Sequence, residues 1–530
     1  MPDEPLLRGN EIQGDSLAGF RKDHVTLLFL RFNPKKIAEV KTWLRALTPR
    51  LATLNAVAQF NDSFRLARRS LPRLPGAIRP PDPPLAATWM NIAFTSNGLT
   101  KLLGDPAAIS TFETAFRLGA AQRAGAIGDP TGGEPGAPST WLVGAGKKVP
   151  DAMLNLASDN EKMLAQLTKA MRAEIKATGA IQIIHVDTGN AKLAPAVGHE
   201  HFGFKDGVSQ PGVRGQLDTP TRPFLTPRLI AASDPLGETF ASPGVPLIQP
   251  GEFVLGYPRQ NPDRAVESQP ESDTRTEPAW ARDGSYLVYR RLRQDVAAFE
   301  RFLDHGASAL AAQGFTGIDR DRFGAMCVGR WKDGTPMARS PLAPHSGIAA
   351  DRRAAQSFFF AKDTRPVVFA DGRPPDTFPA AVMDGDGQRC PLPGHVRKVN
   401  PRDEATDVGQ GARTLRRRIL RRGVTFGPSW TSKPNAERGL LFLCYQASIT
   451  DQFEFVWRAW ANATNTPRAD GGIDPIIGQN GNGRPEERVA HFVQGDRAAK
   501  VESAERFVIS TGGAYLFAPS ISAIRDVLCA

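Results

Sequence analysis

The sequence predicts an α+β protein made of two β-α-β-β-α-β units, each a sheet with helices on one face, and three observations predict it. Strand-like and helix-like runs alternate over the first 190 residues, and the alternation returns after residue 284. The 530 residues are 41% hydrophobic and only 23% charged, enough to bury a large core and to fill about two to four domains.

The elements follow in order. "HVTLLFLRF" (24–32) reads as a buried strand, "KKIAEVKTWLRALTPRLATL" (35–54) as an amphipathic helix and "WMNIAFTS" (89–96) as a second strand. "DAMLNLAS" (151–158) is a third strand. The helix over 159–178 opens with Asp159 as its expected cap, and "IQIIHVDTG" (181–189) closes the first unit. Pro/Gly-rich connections at 71–85 and 126–140 read as surface excursions. The second unit reads as a strand over 284–294, a helix over 295–313, a strand over 439–448, a helix over 449–463 and a strand over 512–520 before a terminal helix. Residues 332–390, rich in Pro, Arg, Asp and Gly, fit neither unit and read as a long insertion.

Composition narrows the function. No run approaches 18 uninterrupted apolar residues, and the opening "MPDEPLLRGNEIQGD" has neither the basic nor the apolar region of a signal peptide, so a cytoplasmic protein without a membrane span is expected. Cys327, Cys390, Cys444 and Cys529 form no CxxC pair and are expected to be reduced thiols. The net charge of +11 raises nucleic acid as a partner. Yet the densest basic run, "RTLRRRILRRG" (413–423), has no interleaved aromatic platform, and no nucleic-acid motif appears.

Three stretches carry residues suited to chemistry. In "HFGFKDGVSQPG" (201–212), Gly203 and Gly207 allow a positive φ or a close approach, so Asp206 is presented on a tight loop; the competing reading is an Asx turn in which Asp206 bonds its own backbone. In "CPLPGHVRKVNPR" (390–402), His395 is followed by Arg397, Lys398 and Arg402, a set that suits a metal whose cofactor carries carboxylates. In "RRRILRRGVTFG" (416–427), Arg421 precedes a glycine turn. His199 and His201, with His185, offer a non-haem metal alternative, although no acidic third ligand is placed by spacing.

Together with "GEFVLGYP", "GSYLVYRRLRQDV", "GRWKDGTP", "GLLFLCYQASITDQFEF", "DPIIGQ" and "GGAYLFAPS" in the same order, these stretches resemble the dye-decolorising peroxidases over nearly the whole chain except 332–388. The resemblance implies two ferredoxin-like domains in a dimeric α/β-barrel-like arrangement, at 10–198 and 199–530, with haem held mainly by the second. It implies a haem peroxidase that reduces hydrogen peroxide and oxidises dye-like, phenolic or other aromatic donors through a high-valent iron intermediate; the alternative is a haem-binding or iron-handling protein with incidental peroxidase activity. Carried onto this chain, it makes His395 the iron ligand, Asp206 the distal acid–base, Arg421 the distal cation, Arg402 a partner of a haem propionate and Gly203 and Gly207 the close approach to haem. Asp474 is the expected carboxylate behind His395, with Glu505 the alternative. Without a CxxCH, the cofactor expected is non-covalent haem b. The chain departs from many members at Gly423, Thr425 and Phe426, so no tyrosine relay is available there, and Trp457 and Trp460 are the candidates to relay electrons.

Overall fold

In the computed structural model, which describes residues 4–72, 83–192, 196–218, 223–262, 270–481, 488–503 and 505–530, the two units share one antiparallel sheet. The first contributes β1 (His24–Phe32), β2 (Thr88–Phe94), β3 (Ala152–Ser158) and β4 (Ile181–Asn190), ordered β2-β3-β1-β4. Helices α1 (Ile37–Leu47) and α2 (Leu54–Ser70) join β1 to β2, and α3 (Glu161–Thr178) joins β3 to β4. The second unit begins with β5 (Ser285–Gln294), α4 (Val296–Ala312), α5 (Arg320–Val328) and a single turn, α6 (His395–Lys398). It continues with β6 (Leu420–Arg421), β7 (Val424–Phe426) and β8 (Gly439–Gln446). Two π-helical turns (Ile449–Glu454 and Val456–Ala461), a hairpin of β9 (Val489–Gln494) and β10 (Arg497–Glu502), and β11 (Val508–Ala518) complete it. Its strands lie in the order β6-β8-β5-β11, with β7 also on β8, so each unit is a ferredoxin-like sheet.

The strands read as continuous apolar runs because both of their faces are buried. In β1, Leu27 and Phe29 join a core with Leu287, Tyr289, Leu441, Leu443 and Leu516, enclosed between the two halves of the sheet. Leu28, Leu30 and Phe32 point the other way, into the core shared with the helices. The halves meet at a narrow seam, where β11 pairs with β2 through Phe517 and Phe94 alone. At the far edges Thr425 Oγ1 donates to the Asn190 carbonyl at 2.9 Å without a backbone ladder, so the barrel-like sheet is not closed.

Several elements differ from expectation. The helix expected over 35–54 stops at Leu47, where Pro49 sits in a tighter turn, and Thr53 then caps α2 by accepting the Ala56 amide. Asn160, not Asp159, caps α3; Asp159 is instead paired with Lys22 at 2.6 Å. Of the connection at 71–85, residues 73–82 lie outside the described residues. The insertion carries only the short helix Ser346–Ala350 and a turn at Ala354–Gln356, yet Ala355, Phe358, Phe360 and Ala381 within it are buried.

Candidate active site

The loop that presents Asp206 takes the left-handed backbone conformation at Gly203 (φ 93°) and Gly207 (φ 67°), so glycine is needed at both positions. Space around Gly207 is open, with nothing within 4 Å of where a Cβ would stand. Asp206 Oδ1 accepts from the Gly207 amide at 2.6 Å and from Arg421 Nη1 at 3.2 Å. A contact to the adjoining amide, rather than the bond two residues on that makes an Asx turn, and the ion pair therefore share one oxygen, and Oδ2 has no hydrogen-bond partner among the described residues.

Arg421 is held from two sides. Its Nη2 donates to the Ser209 carbonyl at 3.0 Å, while its backbone exchanges hydrogen bonds with the Gln210 side chain at 3.2 and 3.1 Å. Gln210 thus ties β6 to the Asp206 loop. Asp206 and Arg421 are each 34% exposed and line a cavity of about 620 Å³ whose other wall comes from the first unit, including Asn61 and Asn155. Lysine and arginine outnumber aspartate in that lining, eight to two.

His395 opens α6 after a proline-bearing turn. Its Nδ1 lies 2.8 Å from Asp474 Oδ2, and the fully buried Asp474 is itself fixed by the amides of Ile476 and Ile477 at 2.8 and 3.1 Å. With Nδ1–H donated to that carboxylate, the imidazole keeps Nε2 as a free lone pair, and its side chain is 27% exposed. Glu505 is remote from this pairing; it meets Arg301 at the surface at 2.6 Å.

Arg402 is buried and sits at φ 56°, a strained value for a non-glycine residue. One guanidinium nitrogen donates to the carbonyls of Phe358 and Gln356 at 2.8 and 3.1 Å, and the plane lies 3.6 Å over the Phe358 ring. Nε and Nη2 have no hydrogen-bond partner among the described residues. Burial, with the neighbouring Arg330 and Arg418, holds the group well below the usual arginine range. Burial also pushes Arg330 and Arg418 down to about 10. Among the described residues none of the three meets a carboxylate in an ion pair, so the site carries buried positive charge awaiting an anion.

Haem fits these residues, with an imidazole held by a carboxylate and a buried guanidinium with two free donors suited to a propionate. The other two cations of "HVRKVNPR" are already engaged, contrary to their expected role. Arg397 bonds Glu404 and Asp384, and Lys398 donates to the carbonyls of Ala463 and Thr466. The sequence reading missed Arg330, Arg418 and Gln210. The non-haem alternative finds no support, because His201 bonds the Phe426 carbonyl, His185 faces Asp187, and no cluster of three metal-ligating side chains occurs among the described residues. Much of the basic run 413–423 is already engaged, with Arg416 on buried Glu252, Arg417 on Asp451 at the surface and Arg422 on the carbonyls of Asp15 and Leu17. Trp460 is 1% exposed and donates to Asp407 Oδ1 at 2.9 Å; Trp457 packs on Phe453 and under Arg290.

Comparison with known proteins places the chain in a family. A family model described as a DyP dimeric alpha+beta barrel domain matches residues 11–192, and one described as Dyp-type peroxidase, C-terminal, matches 368–470. The dye-decolorizing peroxidase msp1 of Mycetinis scorodonius is 30% identical, covering 98% of this chain and 87% of its own. The multifunctional dye peroxidase DyP2 of Amycolatopsis is 28% identical over 98% and 95%. Among solved structures, an ancestral D-type dye decolorizing peroxidase superposes with a TM-score of 0.74 at 28% identity and full coverage of both chains. A decolorizing peroxidase from Auricularia auricula-judae gives 0.70 at 27%, covering 99% and 100%. No helix among the described residues is long and apolar enough to cross a membrane.

Proposed function

Because the chain belongs to the dye-decolorising peroxidase family, and so is a haem-dependent enzyme that reduces hydrogen peroxide and oxidises dyes, we propose that His395 holds the iron while Asp206 and Arg421 act on the peroxide. Haem, when bound, supplies an iron centre that accepts oxidising equivalents from peroxide and passes them to donors one electron at a time. Asp206 Oδ2, the oxygen without a protein partner, takes a proton from one peroxide oxygen and returns it to the leaving oxygen. Arg421 opposes the negative charge that develops there. Asp474 accepts Nδ1–H of His395 and makes Nε2 a stronger ligand. Arg402 pairs with a haem carboxylate, and Gly203 and Gly207 leave the loop backbone free to approach the cofactor. The cofactor in this reading is non-covalent haem b.

The donors in this reading are dye-like, phenolic or other aromatic molecules, with anionic ones favoured by the positive lining of the cavity. The four free, buried cysteines support a reducing, cytoplasmic setting, which cell fractionation tests.

The bond between His395 and Asp474 carries the assignment, because it fixes the ring with Nε2 free. Stopped-flow mixing with peroxide at matched haem content tests it. His395→Ala should lose haem. Asp206→Asn should react on the order of 10² to 10⁴-fold more slowly, and Arg421→Leu about 10² to 10³-fold. Wild-type rates in both distal variants, with a normal Soret band in His395→Ala, would overturn the reading.

A further inference from the structure

Glu200 stands six residues before Asp206, outside the cavity lining, and its carboxylate is met by donors. Oε1 accepts the Phe204 amide at 2.9 Å, and Oε2 accepts the Phe202 amide at 2.8 Å together with Nε2 of Gln294. Its own carbonyl takes the Gly203 amide at 2.9 Å, so both ends of the residue grip the turn. Gln294 Oε1, on the same side-chain amide, is buried and has no hydrogen-bond partner among the described residues. We propose that Glu200 is a positioning residue for peroxide activation, setting the stance of the Asp206 loop through a proton-coupled half-turn of the Gln294 amide. This rests on the reading of Asp206 as the proton carrier.

The mechanical link is short. Phe202 stacks on Phe299 of α4 at 4.2 Å, and Phe204 meets the same ring edge-on at 6.3 Å, so the two amides that Glu200 holds are also the anchor points of the loop. Between Phe204 and Asp206 only Lys205 intervenes, its amide donating to the Lys332 carbonyl at 3.1 Å. A shift at the phenylalanines passes to Asp206 through this one residue, while the Asp206 amide is also held by the Gly198 carbonyl at 2.9 Å.

Protonating a carboxylate that meets three donors sets an O–H against an N–H. Rotation of the Gln294 amide relieves the clash, because its idle Oε1 accepts the new O–H and its Nε2 turns away. The proton comes from solvent and no covalent bond changes. The Phe202 amide then shares Oε2 with the proton, so the grip slackens at Phe202 while Oε1 keeps the Phe204 amide. Burial, reinforced by the charge of Asp206, raises Glu200 to about 7 against the backbone and Gln294 hydrogen bonds that favour its charged form. The charged or titratable groups on the surrounding elements include His199 and His201 on either side of Glu200, the latter held low by burial, Lys205 and Lys332 beside Gly203, Arg293 next to Gln294, Asp295 at the start of α4 and Arg438 ahead of β8.

The test uses the haem-loaded enzyme mixed with hydrogen peroxide from about pH 5 to 9. The wild-type rate should change on the order of tenfold through an inflection near pH 7. Glu200→Gln, neutral throughout, should lose the inflection, and Gln294→Leu, which cannot exchange donor for acceptor, should displace it. A second readout needs no turnover. An acid raised from 4.5 to about 7 stabilises the fold fully below the lower value and loses that contribution as pH climbs through the upper one. The melting midpoint of wild type should accordingly fall relative to Glu200→Gln over that interval. An unchanged inflection in both variants overturns the proposal. So does a wild-type rate in Asp206→Asn, which would place the fault in the role given to Asp206 rather than in Glu200.

Discussion

Arg402 bears two costs that a purely structural residue would not keep, a left-handed backbone and a buried guanidinium with two idle donors. Both are intelligible if the protein without cofactor is only part of the folded entity. Arg402→Met should therefore raise the stability of the haem-free protein by about 1 to 4 kcal/mol while weakening haem retention. Urea denaturation of the apoprotein and haem transfer to an acceptor globin measure the two effects; a destabilised apoprotein would refute the first. Asp206, His395 and Arg402 stand out in the sequence because each adjoins a glycine or proline that marks a turn, and Arg421 lies two residues before Gly423, but the roles proposed for them come from the family resemblance. Arg330 and Arg418 were not. Among 66 lysines and arginines, a guanidinium deprived of a carboxylate looks like any other until burial is known. Arg397 and Lys398 misled for the same reason, since the Glu404, Asp384 and carbonyl groups that occupy them come from elsewhere in the chain.

At the scale of elements, Glu113 shows how a distant side chain completes a helix. Its Oε2 accepts the amides of Ile449 and Thr450 at 2.8 and 3.4 Å, capping the first π-helical turn from the other unit. Burial raises this carboxyl to about 7, with Glu277 adding to the effect against the hydrogen bonds. The stability it contributes is full below 4.5 and is lost as pH rises through 7. Between those values wild type should lose about 3 kcal/mol relative to Glu113→Gln, as read from denaturation midpoints at a series of pH values. The long strands were readable because both faces are apolar, and α4 because Asp295 caps it. The break after Leu47 was not, since the apolar period runs on through Pro49 into α2. The β9-β10 hairpin had a signal that went unused: buried Ala490 and Phe492 alternate with half-buried neighbours, Gly495 marks the turn, and Ala499 and Val501 return on the same face. Nothing local announces the widened π-helical turns, which depend on what packs around them.

For the whole molecule, the charge of +11 is distributed unevenly, with much of the basic run at 413–423 already engaged and a positive lining left around the cavity. Arg352, contributed by the insertion, lines that cavity without a carboxylate in ion-pair contact among the described residues. Raising ionic strength should raise KM for an anionic aromatic donor on the order of tenfold, leave an uncharged phenol unaffected, and lose most of its influence in Arg352→Glu. Steady-state kinetics with the two donors decide it; equal salt effects on both would refute it. The narrow seam between the half-sheets has a further consequence during synthesis. Strands β1 to β4 all lie within residues 24–190 and can pair as soon as they leave the ribosome, but the partner of β2 across the seam is β11, at residues 508–518. The finished first unit must wait, with the edges of β2 and β4 both bare, through the making of nearly all the second, the interval in which a nascent chain is most open to pairing with a stranger.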